Sequence, residues 1–291
     1  MVKVGCVITT FNPSYDLLRK NLLNVVPQTA LTVVVDNGSS APDAVRHACL
    51  GLEVKTIFNS RNLGIGTALN IGVQFLLNTI PLDFVLTLDQ DTIIPIYSVN
   101  TIFTDLCKSK YSGIGIIAYS TILDKLNAEN FVEIEDSMTS GSFVNCELFK
   151  KISYREDFFV DWIDLDFSIS VRNVGYRIIR HNTIMDHNNG IQYVPKSRAL
   201  KLMLKFAGLR VTTTEVVIHY HSPYRFYYIV RNLTVLLKEG KISFSRYVTT
   251  LSAPAFFFNS LIAHKIIPTL HYSLLGFIHG LCGKMGEMDR G

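Results

Sequence analysis

Cysteine is scarce and unpatterned. The five (Cys6, Cys49, Cys107, Cys146, Cys282) show no C-x-x-C or other metal-ligand spacing, which argues against a cysteine-built metal site and reads as reduced thiols in a cytosolic protein. There is no internal repeat, no low-complexity linker and only one tryptophan, Trp162. A charged-then-apolar leader is missing too, so no signal peptide is expected. No Walker A loop occurs, and the one glycine loop that approaches a dinucleotide fingerprint, Gly64-x-Gly66, has Leu69 where the third glycine belongs. ATP hydrolysis and NAD chemistry are therefore not indicated.

What is present is a 291-residue chain, long enough to bury a sizeable core and best read as one large α/β domain with an appendage. Its net charge of +4 is unevenly spread. Lys and Arg number 6 against 7 acidic residues over 1–100, 9 against 13 over 101–191, and 13 against 4 over 192–291. The basic final third would attract nucleic acid, anionic lipid or phosphorylated substrates, and charge alone does not choose among them.

The stretch around which the chain is organised is Phe84-Val85-Leu86-Thr87-Leu88-Asp89-Gln90-Asp91. Residues two apart in an extended segment point to one side, so Asp89 and Asp91 would present two oxygen ligands together. Such ligands suit Mg²⁺ or Mn²⁺, whose remaining positions are commonly taken by water and substrate phosphates. The plain alternative is a pair of turn carboxylates.

Before it come alternating strands and helices. Val2–Thr10 reads as a buried parallel strand, stopped by Asn12-Pro13; Ser14 or Asn12 is placed to cap a helix over Tyr15–Val26. A second strand, Leu31–Val35, runs into Asp36-Asn37-Gly38-Ser39-Ser40, where Asp36 either accepts from a base ring N–H or merely makes a turn. A third, Glu53–Phe58, leads to Asn62-Leu63-Gly64-Ile65-Gly66, a loop whose glycines permit close backbone approach to a ligand, with a helix N-terminus facing anions. This alternation builds a parallel sheet with ligands at the strands' C-terminal ends.

Val-Ile-Thr-Thr-Phe-Asn-Pro near the start, Val-Asp-Asn-Gly-Ser-Ser, Asn-Leu-Gly-Ile-Gly-x-Ala-Leu-Asn-x-Gly and Leu-Asp-Gln-Asp-Thr occur in this order. Together they resemble an inverting family-2 glycosyltransferase with the GT-A fold, and the Asp-Gln-Asp version resembles the bacterial rhamnosyltransferases in particular. The resemblance implies that Thr9 and Asp36 help hold the nucleotide base with the Asn62–Gly64 loop nearby, that Asp89 lies near the ribose or metal, and that Asp91 binds the cation. It also implies that Thr139–Val144, with Gly141 and Ser142, lines the sugar pocket; the plain reading of that segment is a turn into a strand.

Next comes Asp157–Phe167, dense in carboxylates and aromatics. A carboxylate against aromatic surface has its pKa raised, which suits a general base, whereas acidic residues opening a helix also complement its dipole. In the family a Glu-Asp pair stands here; its Asp falls on Asp164, but its Glu position is Ile163. Asp164, Asp166 and Asp161 therefore remain candidate bases. Trp162 either stacks on a sugar or sits in the core. His187 is the third candidate metal ligand by resemblance, with His181 competing.

From about residue 192 basic and apolar residues interleave (Lys196, Arg198, Lys201, Lys205, Arg210). They are followed by Tyr224-Arg225-Phe226-Tyr227-Tyr228-Ile229-Val230-Arg231-Asn232. On a helix Arg225, Tyr228, Arg231 and Asn232 share a face that could grip phosphates or sugar hydroxyls; otherwise it is an ordinary amphipathic helix. Between Tyr247 and Gly283 the only Lys, Arg, Asp or Glu is Lys265; Pro254, Asn259 and His264 interrupt the first apolar run and Pro268, His271 and His279 the second. Helices lying in a membrane interface are favoured over spanning ones, with a packed subdomain or oligomer contact as the alternative. The resulting expectation is a GT-A domain over 1–220 and a helical membrane-surface region over 221–291. It would be a metal-dependent peripheral enzyme carrying L-rhamnose from dTDP-L-rhamnose to a lipid-linked saccharide, without a nucleic-acid partner. Transfer from a UDP-sugar, or nucleotide-sugar binding without catalysis, are the alternatives.

Overall fold

The computed structural model describes residues 2–121, 129–187, 191–193, 218–220, 222–251 and 266–288. The basic stretch 196–210, the β-like run before 218, His221 and the segment 252–265 lie outside the described residues. The chain divides into two compact units, Met1–Asn188 with Gly286–Gly291, and Asn189–Met285. Sequence reasoning set its boundary at 220.

The first unit is built on an eight-stranded sheet. Four parallel strands, β1 (Val4–Thr10), β2 (Leu31–Asp36), β3 (Val54–Phe58) and β4 (Phe84–Asp89), lie in the order β3-β2-β1-β4. They are joined through α1 (Tyr15–Val25), α2 (Pro42–Cys49) and α3 (Ile65–Thr79). After β4 come the two-residue β5 (Thr92–Ile93), α4 (Ser98–Lys108), β6 (Ile114–Ser120), β7 (Phe131–Glu133), β8 (Ser142–Asn145), α5 (Ile163–Asn173), β9 (Arg177–Ile184) and β10 (Asp186–His187). The sheet continues β4-β8-β6-β9-β7, with β8 antiparallel to both neighbours and β6 parallel to β9. Three-residue β7 escapes sequence reading because it is shorter than any period can register.

β1 is buried along its whole length, as expected of a parallel strand covered on both faces. Cys6 and Ile8 share a core with Leu18 and Leu22 of α1, Val45 of α2 and Ile102 of α4. On the opposite face, Gly72 of α3 lies against Val7 and Val35. Helices thus sandwich the sheet. The helix expected at Tyr15 begins there, but neither proposed side chain caps it: Ser14 makes no side-chain cap bond, and the Asn12 Oδ1 accepts instead from Ser40.

The described second unit comprises the antiparallel pair β11 (Ile191–Tyr193) and β12 (Ile218–Tyr220) and three helices, α6 (Pro223–Lys238), α7 (Phe244–Leu251) and α8 (Ile266–Cys282). α6 and α8 approach closely because Gly276 and Gly280 of α8 lie against the backbone at Tyr227 and Arg231 and the side chain of Thr234. No helix among the described residues is long and apolar enough to cross a membrane.

Candidate functional site

The C-terminal ends of β1, β2 and β4 meet in register: Thr9 is opposite Asp89 on one side and Val35 on the other, and Thr10 is opposite Asp36. β4 ends at Asp89, and Gln90 and Asp91 form a turn into β5. The two carboxylates converge through that turn and not through strand alternation, which corrects the geometry expected from their spacing. β10 pairs antiparallel with β5, setting His187 opposite Thr92. One ligand atom from each of Asp89, Asp91 and His187 falls within 4.8 Å of the others. Two carboxylate oxygens and an imidazole nitrogen form a donor set that fits Mg²⁺ or Mn²⁺. Burial raises the pKa of Asp91, partly offset by His187, and a nearby positive charge favours the ionised form of such a carboxylate.

Two amides of α1 and a third from the 3-10 turn Val26–Gln28 that follows it fix this turn. Asn21 Nδ2 donates to the Asp89 carbonyl at 2.9 Å, Asn24 Nδ2 to the Ile94 carbonyl at 2.9 Å, and Gln28 Nε2 to the Pro95 carbonyl at 3.0 Å. Gln90 turns away from the cluster and accepts from the Phe11 N–H at 2.7 Å. From behind, Ser140 Oγ accepts from the Asp89 N–H at 2.9 Å and lies 2.7 Å from Thr92 Oγ1, itself 2.6 Å from His187 Nδ1. Sequence reasoning missed Asn21, Asn24 and Gln28 in this role; amides recurring three and four residues apart were the available signal. His181, the competing ligand, is buried at Asp105, 3.2 Å away, and packs against Phe131.

The segment preceding β8 links this cluster to the carboxylates of α5. Gly141 has φ +79° and donates its N–H to the Thr87 carbonyl, while Ser142 Oγ donates to the Met138 carbonyl at 2.6 Å. Both residues are buried. Ser142 and Asp164 line one small cavity with Thr139, Tyr154 and Ser168. Asp164 and Asp166 stand in the first turn of α5, but their surroundings differ. Asp164 is partly buried, accepts from the Leu165 N–H, and has its pKa pushed up to about 6 by burial, with Asp161 and Asp136 adding to the rise. Asp166 is 5% exposed and lies 3.4 Å from the Arg155 guanidinium. Phe159, Asp161 and Trp162 all have φ near +63°, backbone strain of the kind that functional sites hold. Trp162 is the N-cap of α5, partly exposed and not a core residue.

Other expected contacts are made with protein. Asp36 is 1% exposed and accepts from Thr10 Oγ1, Ser39 Oγ and the Ser39 N–H, so as folded it braces the turn. Asn37 ties the neighbouring loops together: its Nδ2 donates to Asn62 Oδ1 and the Gly64 carbonyl, and its Oδ1 accepts from Asn59 and the Leu63 N–H. At Gly64 and Gly66 the close approach is to the backbone of Phe159 and Arg155, and the Ile65 N–H donates to the Phe159 carbonyl. This helix N-terminus is met by protein where an anion was expected. In the second unit, Tyr228, Arg231 and Asn232 are fully buried, with Arg231 Nε donating to Asn232 Oδ1 and its guanidinium over the Tyr227 and Tyr228 rings. Of that expected phosphate-gripping face only Arg225 is exposed; the other three serve the unit's interior.

Comparison with known proteins agrees with this geometry. Residues 6–159 match the profile of glycosyl transferase family 2. The chain is 27% identical over 259 residues to a dTDP-rhamnosyl transferase, RfbF, of Shigella flexneri, covering 82% of this chain and 81% of that one. The fold is similar to that of S. aureus TarS in complex with UDP-GlcNAc, with TM-score 0.56, 15% identity, and coverage of 96% of this chain and 81% of that one. It is also similar to GalNAc-T7 with UDP, GalNAc and Mn²⁺, with TM-score 0.53, 14% identity, and coverage of 80% and 51%. A mainly parallel α/β sheet of the GT-A type, closing on a carboxylate pair at its C-terminal edge, and the family match over more than half its length place this chain among the family-2 glycosyltransferases.

Proposed function

We propose that the protein is an inverting transferase that moves L-rhamnose from dTDP-L-rhamnose to a saccharide acceptor carried on a lipid, in bacterial surface-polysaccharide assembly. The observation that carries this reading is the convergence of Asp89, Asp91 and His187 on one side of segment 138–142, with Asp164 on its cavity. In this account Asp164 takes the proton of the acceptor hydroxyl, which attacks the anomeric carbon opposite the departing diphosphate, so a single displacement inverts the configuration. Asp166, held by Arg155, orients the first turn of α5. Asp89, Asp91 and His187 would hold Mg²⁺ or Mn²⁺, which would stabilise charge developing on the leaving group. Thr9 and the Asp36–Ser39 turn flank the base, with Asn62 and Gly64 shaping that edge. Support for rhamnose as the donor sugar is the relationship to the Shigella protein.

A second reading, a UDP-sugar donor, is favoured by the UDP-bound structural neighbours. For localisation the reading is peripheral attachment to the cytoplasmic face of the membrane, supported by the apolar exposed side chains of α8 (Ile267, Leu270, Leu274, Ile278 and Leu281). The test is a screen of dTDP-, UDP- and GDP-sugars, with nucleoside diphosphate release as readout. Release chiefly from dTDP-L-rhamnose is expected. Release from a UDP-sugar alone moves the assignment to the second reading, and binding without turnover in the presence of varied acceptors identifies a non-catalytic protein.

A further inference from the structure

Thr92 is fully buried and Ser140 is 4% exposed, yet both hydroxyls sit directly behind the carboxylate and histidine cluster. They form a continuous chain from the Asp89 N–H through Ser140 Oγ (2.9 Å) and Thr92 Oγ1 (2.7 Å) to His187 Nδ1 (2.6 Å). Each hydroxyl has a single proton to give, so a chain linked head to tail runs in one of two directions. In the first, Nδ1–H donates to Thr92 and Thr92 donates to Ser140, which leaves a lone pair on Nε2. In the second, Ser140 donates to Thr92 and Thr92 to Nδ1, which puts the proton on Nε2. The Asp89 N–H donates to Ser140 in both. Since Thr92 occupies Nδ1, Nε2 is the nitrogen left to meet the carboxylates, and only the first direction lets it act as a ligand.

We infer that Thr92 and Ser140 are positioning residues for the cation site, a two-hydroxyl relay that fixes the ring orientation and tautomer of His187 so that Nε2 faces Asp89 and Asp91. A hydrogen bond on the far ring nitrogen is what orients a ligating imidazole and raises its basicity. Here the relay starts at the backbone of one carboxylate ligand and ends at the histidine, so the two halves of the site are set by one network. The pairing of β5 with β10 holds the backbones of Thr92 and His187 together without the hydroxyl, so removing the hydroxyl tests the relay and leaves that pairing in place. This inference rests on the cation reading above.

The experiment titrates Mn²⁺ into the full chain without donor, reading free Mn²⁺ by electron paramagnetic resonance, alongside thermal melting. Thr92→Val keeps the shape and deletes the hydroxyl; it is expected to weaken Mn²⁺ binding about 10- to 100-fold. Thr92→Ser is expected to restore most of that loss. Ser140→Ala is expected to weaken binding several-fold, and the Thr92→Val/Ser140→Ala double variant to lose less than the product of the two single losses, because the two hydroxyls share one network while the serine also holds the Asp89 N–H. If Thr92→Val fails to fold, Ser140→Ala decides by the same criterion. Wild-type affinity in folded variants overturns the inference alone. Absence of Mn²⁺ binding by the wild-type chain overturns the cation reading and the relay with it.

Discussion

The carboxyl of Asp164 accepts from the Leu165 N–H and has Asp161 and Asp136 nearby, and burial carries its pKa from 3.8 to about 6. Folding thus makes this group bind protons more tightly than the unfolded chain does between about pH 4 and pH 6. Stability falls as pH rises through that window, and the cost is complete above it. Asp164→Asn is therefore expected to abolish transfer while raising the melting temperature at pH 7.5, and to leave it nearly unchanged at pH 4. In the wild type, kcat/KM is expected to fall below about pH 6 with unit slope. A variant that keeps turnover, or a flat profile between pH 5 and 7, would remove Asp164 as the base. The same scale shows how much of the site could be read from sequence. Asp89 and Asp91 were legible because their spacing is local, and His187 because of its place in a familiar order of motifs. The difference in surroundings between Asp164 and Asp166 was not legible: it comes from Arg155, which reaches Asp166 from outside the helix, and no periodicity encodes that contact.

Whole elements set these residues in place, and glycine records where they touch. Gly66 opens α3 against the Arg155 carbonyl, where a methyl group would collide. Gly66→Ala is expected to cost about 1–3 kcal/mol by overpacking, read as a lower midpoint in urea, and to lower kcat because the displaced 155–159 segment leads into α5. From the sequence these glycines read as ligand-facing; they serve a contact between segments some 90 residues apart in the chain, which local pattern does not reveal. α1 braces the turn after β4 in a comparable way. Asn21→Ala removes the donor to the Asp89 carbonyl and is expected to cost about 1–3 kcal/mol and to weaken Mn²⁺ binding as the turn loosens; unchanged stability and affinity would show that the turn holds itself. The four strands through β4 and the helix at Tyr15 were legible to within about two residues, because buried parallel strands and amphipathic helices carry their periods locally, whereas eight-residue α2 went unread.

At the scale of the molecule, the sheet gathers strand ends at the candidate site, and the helical unit carries an apolar surface that no described part of that unit covers. α8 packs Thr269, Gly276 and Gly280 inward and exposes Ile267, Leu270, Leu274, Ile278 and Leu281 at helical spacing, with Ile267 81% exposed. Between Ile266 and Gly283 it has no charged residue. If this stripe enters a membrane interface, each such side chain contributes about 1.5–3 kcal/mol. The triple variant Ile267→Ser/Leu274→Ser/Ile278→Ser is then expected to lose at least about tenfold in binding to phosphatidylglycerol vesicles with nucleotide-sugar hydrolysis unchanged; wild-type vesicle binding would assign the stripe another role. If cation and donor meet at Asp89, Asp91 and His187, calorimetric titration of dTDP-L-rhamnose with Mn²⁺ or with EDTA, in the wild type and Asp91→Asn, will register it. Binding that requires Mn²⁺ and disappears in Asp91→Asn is the predicted result; equal binding in EDTA, or full binding by Asp91→Asn, would contradict it.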